Sequence, residues 1–98
     1  MLKLKIGDYE VPERCLRYVV LYTESSSVAF AGALGGEEGL QMRTGLRRLS
    51  QMRAIPFEVV DRNGVCTTGL CDIKDLKLGA DSTPTIKFSG RLVRPFQD

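Results

Sequence analysis

The stretch CLRYVVLYTESSSVAFAGAL, residues 15 to 34, decides the fold that we predict for this chain. Two apolar runs, Cys15 to Thr23 and Val28 to Leu34, are joined by a polar link of Glu24 and three serines. Short runs rich in Val, Tyr and Phe, separated by a few polar residues, favour two β-strands over a helix. We therefore predict a β-hairpin over these residues.

The predicted hairpin is apolar on both faces. In its second strand, Ala29, Ala31 and Ala33 line one face and leave it nearly smooth. Because strands that are apolar on both sides are usually covered on both sides, we expect a second layer against these alanines, either the chain's own sheet or another subunit. The first strand carries four large side chains on one face and two on the other: Leu16, Tyr18, Val20 and Tyr22, against Val19 and Leu21.

Strands are also predicted on either side of this hairpin. Residues 2 to 11 alternate apolar side chains with lysines and turn at a glycine. Residues 57 to 60 should pair with residues 65 to 70 through the turn sequence Asp61 to Gly64. Further along, the apolar pattern slips in phase near Lys74 and Asp75, which predicts a bulge or a corner.

Helical periodicity marks residues 38 to 53. The apolar side chains of this segment fall within an arc of about 120° at roughly 100° per residue, which is typical of an amphipathic helix. They are Met42, Leu46, Leu49 and Met52, and the opposite side carries Arg43, Arg47 and Arg48. Pro56 follows the segment and should end the helix.

Together these elements predict the fold class. With a last strand after residue 84, the chain has about seven short strands, so we expect a mainly β protein, a β-sandwich or small barrel, with one amphipathic α-helix over roughly residues 38 to 53. A chain of 98 residues is long enough to bury one core, and no linker or repeat divides it. We therefore expect a single domain over residues 1 to 98.

Two of the three cysteines, Cys66 and Cys71, lie five positions apart in the segment NGVCTTGLC, residues 63 to 71. In a regular strand this offset places the thiols on opposite faces, about 16 Å apart, too far for a disulfide or a shared metal ion. Only a tight reversal at Thr67 to Gly69 would bring them together. We therefore predict buried, free thiols for both, and for Cys15 as well.

The sequence contains no histidine, which removes the Ser-His-Asp and Cys-His catalytic arrangements and the usual zinc sites. Of the acidic pairs, Glu37 and Glu38 should begin the helix, and Asp72 and Asp75 should lie on a solvated strand edge. The glycine-rich residues 32 to 39 lack the Lys-Ser/Thr pair of a phosphate loop. We therefore predict a protein that is not an enzyme, with no cofactor, no metal site and no catalytic residues.

The expected function is a non-enzymatic structural or assembly subunit that oligomerises or docks through β-strand surfaces. The candidate partner-binding residues are Ala29, Ala31, Ala33 and Phe96. The expected partners are other copies of this chain, other structural proteins, or both. In size and composition the chain is similar to small virion components of tailed phages, such as head, neck, tail or capsid-decorating proteins, although this likeness of type rests on no motif.

The location that fits this function is a virion or the cytoplasm. The first six residues alternate with lysines and lack the apolar core of a signal peptide, so we expect no export by that route. The apolar runs fall short of the roughly 18 residues that a membrane-spanning helix needs, so no membrane partner is expected.

An alternative function uses the arginines of the predicted helix. Arg43, Arg47 and Arg48 lie on its polar side, where they would contact phosphates if the chain is a barrel that binds single-stranded nucleic acid. Tyr18, Tyr22 or Phe96 would add base stacking in that case. A net charge of only +2 makes this partner less favoured than protein.

Overall fold

The computed structural model describes residues 2–79 and 85–94. These residues form seven β-strands, one α-helix and one short 3-10 turn. In chain order they are β1 (Lys3–Ile6), β2 (Tyr9–Val11), the 3-10 turn (Glu13–Cys15), β3 (Leu16–Tyr22), β4 (Ser27–Gly35), α1 (Gly36–Leu49), β5 (Ile55–Val60), β6 (Cys66–Leu78) and β7 (Thr85–Val93).

The strands join into one antiparallel sheet with the order β2-β1-β5-β6-β7-β4-β3. This confirms the predicted mainly β class with a single helix in the described part of the chain. The first predicted hairpin is β3–β4, in which Val20 lies opposite Ala29. The second is β5–β6, in which Val60 lies opposite Cys66.

Strand β6 belongs to both halves of the sheet. Its residues Cys66 to Cys71 pair with β5, and its residues Asp72 to Leu78 pair with β7. The register with β7 shifts between Lys74 and Lys77, where Asp75 has a φ of 55°. The predicted phase slip is thus a bulge within the part of this long strand that pairs with β7. The strand passes from one half of the sheet to the other just before it, between Cys71 and Asp72.

The inward face of the sheet and one side of α1 enclose a common core. Burying one large apolar side chain, such as Leu, Ile, Val, Phe or Met, stabilises the fold by about 1.5–3 kcal/mol. The alternation predicted for residues 2 to 6 is confirmed, because Leu4 and Ile6 are fully buried between the more exposed Lys3 and Lys5. The largest fully buried side chains are Phe30, Leu4, Ile6, Met42, Leu46, Leu49, Leu92, Val11 and Cys71.

Helix α1 is shorter at its end than predicted. Met42, Leu46 and Leu49 are buried, as expected, but Met52 is 46% exposed, so its predicted place in the core is wrong. The reason is that the chain tightens after Leu49: the Met52 N–H donates to the Leu49 carbonyl at 3.0 Å, and Ala54, with a φ of 54°, turns the chain into β5. Met52 therefore no longer follows the helical phase.

A bulge also changes the phase of β3. The register with β4 shifts between Leu16 and Tyr18, which leaves Arg17 unpaired in the ladder. As a result Leu16 packs against the core, whereas Tyr18 lies on the outer face. The prediction that Leu16 shares a face with Tyr18 is therefore wrong.

Two phenylalanines pack over two glycines where β4 pairs with β7. Phe30 of β4 lies opposite Gly90 of β7, and Phe88 of β7 lies opposite Gly32 of β4. The two rings are 6.2 Å apart between centroids and tilted by 42°. A side chain at either glycine would meet the opposing ring, so each glycine provides the space that one ring fills.

A bilayer-spanning helix is not found in residues 2–79 and 85–94.

Candidate functional site

The two edges of the sheet differ in how well they are protected. Edge strand β2 has three residues, carries the exposed Glu10 and is followed by Pro12. Short length, charge and proline are the usual ways in which an edge strand avoids pairing with another chain. The opposite edge, β3, has seven residues, so it offers a longer row of backbone groups.

The exposed edge of β3 is apolar. Residues 18 to 22, Tyr-Val-Val-Leu-Tyr, contain no charged residue, glycine or proline, and we call them the β3 edge segment. Tyr18, Val20 and Tyr22 point away from the core and are 42%, 38% and 50% exposed. Within the described residues no second layer covers them, so the outer face expected to be covered remains open.

The candidate partner-binding alanines lie beside this segment on the outer face. Ala31 is opposite Tyr18 on one side and Ser89 on the other, and Ala29 is opposite Val20. Ala31 is only 8% exposed, because the side chains around it are longer than its own methyl group. Ala29 and Ala33 are half-buried. Phe96, the remaining candidate, lies outside the described residues.

A shallow groove of about 630 Å³ runs across the outer face. We call it the outer groove; Ala31 and Ala33 belong to its floor, and Tyr18 stands at one side. Four cations line it: Arg14, Arg17, Lys77 and Lys87. In the described part of the chain, Arg14 is bound to Glu38 at 2.9 Å, while the other three form no ion pair. The base of the outer groove is therefore formed by small alanine side chains, and its sides carry positive charge.

The three arginines of the alternative function lie elsewhere, on α1. Arg47 and Arg48 are exposed and Arg43 is half-buried. The Arg48 Nη2 is 3.8 Å from the Asp8 Oδ1, so part of its charge is balanced. Arg91, which would enlarge this patch if the last strand lay near it, instead binds Asp75 at 2.7 Å on the outer face of the sheet.

An apolar cleft of about 620 Å³ opens where β6 changes partners. Leu21, Phe57 and Leu92 are among its lining residues, and Cys71 lies at its inner wall. Burial raises the pKa of the Cys71 thiol to about 12, so at neutral pH it is protonated and a poor nucleophile. The cleft has apolar walls and lacks an activated nucleophile among its described residues.

The three cysteines are free thiols, as predicted, but they are not all buried. Cys15 and Cys71 are buried, and burial raises the pKa of both. Cys66 is exposed, with its Sγ 3.8 Å from the Glu58 Oε2, so its predicted burial is wrong. Because the offset of five places the two thiols on opposite faces of β6, only Cys71 reaches the core.

Asp72 is also buried, against the prediction of a solvated edge. Its Oδ1 accepts the Ala54 N–H at 2.8 Å, and its Oδ2 lies 3.7 Å from the Arg53 Nε. The carboxylate thus fixes the left-handed turn between α1 and β5. Asp75 is exposed, as expected, and binds Arg91.

Comparison with known proteins does not assign this chain to a family. No family model, curated protein or solved structure matches the chain. Within residues 2–79 and 85–94, no three Cys, Asp or Glu side chains form a group that could hold a metal ion. The surface features above, and above all the β3 edge segment, therefore carry the functional argument.

The outer groove was not found from the sequence. Its four cations come from separated parts of the chain: Arg14 and Arg17 from the 3-10 turn and β3, Lys77 from β6 and Lys87 from β7. No local run of basic residues signals it, whereas the arginines of α1 are close in sequence and draw attention first. Only the strand order brings the groove residues together.

Proposed function

We propose that this protein is a non-enzymatic assembly subunit that oligomerises or docks through the β3 edge segment. The single observation that carries the proposal is the exposure of Tyr18, Val20 and Tyr22 in an edge segment, residues 18 to 22, that lacks charge, glycine and proline. An edge of this kind is a template for pairing with another chain. The partner is another copy of this protein or another structural protein.

The contrast between the two edges supports the proposal. Edge β2 is short and carries Glu10, so it is unsuited to pairing, whereas β3 is longer and residues 18 to 22 of it are uncharged. Both edge strands belong to the same sheet, so the length and exposed apolar side chains of β3 are not features that every edge strand of this fold shares. Large apolar side chains at a strand edge favour contact with a partner, because burial removes them from water.

At a finer level, we propose that the assembly is a virion of a tailed phage, with this chain as a head, neck, tail or capsid-decorating component located in the virion or, before assembly, in the cytoplasm. The support is a general similarity to such virion components, because this is a small, mainly β chain with an exposed strand available for docking. Detection of the chain in purified particles by mass spectrometry tests this level separately.

Replacing Val20 with Lys should dissociate the oligomer. A lysine on an edge strand opposes pairing with another chain, so we expect association to weaken tenfold or more, which corresponds to about 1.4 kcal/mol or more. Size-exclusion chromatography with light scattering measures this. Glu10→Lys, at the protected edge, is the matched control and should leave the oligomer unchanged. A native protein that is monomeric at high concentration and binds no structural protein would contradict the proposal.

A second candidate function is binding of single-stranded nucleic acid in the outer groove. The observation that favours it is the combination of Arg17, Lys77 and Lys87, without ion pairs among the described residues, with the exposed ring of Tyr18. Cations that follow a phosphate backbone and an aromatic ring that stacks on bases are the two parts of such sites. In this second proposal the nucleic-acid site lies on the sheet rather than on α1.

The double variant Lys77→Ala/Lys87→Ala should weaken binding of single-stranded DNA and reduce its dependence on salt. Losing two phosphate contacts should lower the slope of log affinity against log salt by about 1.4. Filter binding at several salt concentrations measures this. Arg47→Ala/Arg48→Ala is the matched control, with the same loss of charge on α1. Equal effects of the two variants, or no binding by the native protein at low salt, would exclude the groove.

A further inference from the structure

We infer that the partner at the β3 edge segment is a second copy of this chain, paired antiparallel with Val20 opposite Val20 of the other copy. This inference rests on the proposed assembly function and gives it a geometry. The two sheets would then continue into each other through β3 of each copy. The argument uses the register, the charges at the two ends of the strand and the symmetry of the pair.

The register follows from matching faces. In an antiparallel pair, opposite residues lie on the same face of the sheet, so the outward residues of one copy must meet outward residues of the other. Pairing centred on Val20 places Tyr18 of one copy opposite Tyr22 of the other, twice. It also aligns the whole five-residue apolar segment with itself, whereas pairing centred on Val19 or Leu21 brings Arg17 or Thr23 into the apolar part.

The pairs formed in this register are favourable ones. Tyr18 and Tyr22 are both about half exposed in the single copy, so both have surface to bury. Aromatic residues opposite each other on neighbouring strands stabilise a sheet by roughly 0.2–1 kcal/mol per pair. Val20 against Val20 is a pair of β-branched residues, which suits a strand position.

Charge at the ends of the segment selects the antiparallel direction. Arg17 precedes the segment and Glu24 follows it, and both are exposed. Neither forms an ion pair within the described residues of one copy. Antiparallel pairing brings Arg17 of each copy to the end where the other copy has Glu24. Parallel pairing would instead place arginine beside arginine, which is unfavourable.

The pair is symmetric and complete. A two-fold axis through Val20 makes the same surface of both copies the interface, which is the commonest arrangement of soluble homo-oligomers. Each copy contributes the same strand, so no second, different surface is needed.

Disulfide trapping tests the pairing. Cys66 is replaced with Ser to remove the exposed thiol, while the buried Cys15 and Cys71 are kept. In this background Val20→Cys should form a disulfide-linked dimer when diamide is added as oxidant, visible on a non-reducing gel. Tyr18→Cys alone should not, because in this register the two introduced thiols lie about 13 Å apart along the strands, beyond disulfide reach.

A mixture of the Tyr18→Cys and Tyr22→Cys proteins distinguishes the direction and register of the strands. Antiparallel pairing centred on Val20 predicts a cross-linked dimer in the mixture and none in either protein alone. Cross-linking of each protein with itself would show parallel pairing and overturn the inference. Lys87→Cys, on the same face but away from the edge, is the control for random collision and should stay monomeric on the gel.

The outcome also separates this inference from the proposed function. If Val20→Lys dissociates the oligomer but Val20→Cys does not cross-link, the subunit assembles through the β3 edge segment in another arrangement, and only the pairing is wrong. If the oligomer is unaffected by Val20→Lys, it forms through another surface, and both proposals fail. If the native protein is monomeric and pairs instead with a different protein, the second copy is excluded and the assembly function stands. If neither association occurs, both proposals fail.

Discussion

Replacing Gly32 with Ala is expected to leave little folded protein, because the added methyl group has no space. Its Cβ would overlap the Cys15 carbonyl oxygen and lie 2.6 Å from the Cζ of Phe88. The first contact is with backbone, which moves only if the 3-10 turn and β4 separate. Overpacking of a core usually costs about 1–3 kcal/mol and sometimes more, and we expect a loss of at least about 3 kcal/mol here. Urea unfolding followed by circular dichroism measures it.

Gly45→Ala is the matched control. Gly45 lies within α1, and a Cβ there would meet only the Tyr9 ring, at an ordinary distance of 3.9 Å. The same substitution should therefore stabilise the protein, by up to about 1 kcal/mol, since alanine favours a helix over glycine. If Gly32→Ala unfolds at the same urea concentration as the native protein, the close approach of β4 to the turn is wrong.

Replacing Phe30 with Ala should have an effect of similar size. Phe30 is fully buried, and its ring fills the space above Gly90 and contacts Phe88. Truncation of a buried phenylalanine costs about 3–5 kcal/mol, through lost burial and the cavity that remains. Thermal and urea unfolding of the variant, compared with the milder Phe30→Leu, measure the loss.

A double substitution checks the physical reason for this loss. A methyl group at Gly90 would lie 2.9 Å from the Phe30 ring, so Gly90→Ala should destabilise the native protein. In the Phe30→Ala background the ring is gone, and the same change should be tolerated or should fill part of the cavity. Additive losses in the double variant would contradict the packing of Phe30 against Gly90.

Local sequence pattern predicted much of this fold. The alternation around Leu4 and Ile6, and the turn sequence after Val60, depend on neighbours within a few residues, so they can be recognised without knowing the tertiary structure. The same holds for the helical side with Met42 and Leu46, which α1 buries. The hairpin β3–β4 and its outward alanines follow from alternation alone.

Features that depend on distant strands could not be predicted. The residues next to Gly32 in the sequence do not distinguish it from other glycines in strands. Its close packing arises because β7 places Phe88 opposite it. The burial of Asp72 requires the turn at Ala54, which is 18 residues away in sequence. The cations of the outer groove come together only through the strand order. For the candidate site, the sequence indicated an apolar face but not that β3 is the edge strand.

The difference between the two edges also limits how far an assembly can grow. Two copies joined at β3 would leave only the β2 strands at the outer ends, each three residues long and carrying Glu10. Such ends would not recruit a third copy by strand addition, so the proposed association would stop at a defined number instead of extending into a fibril. In the proposed dimer the short, charged strand β2 would thus act as a terminator of polymerisation.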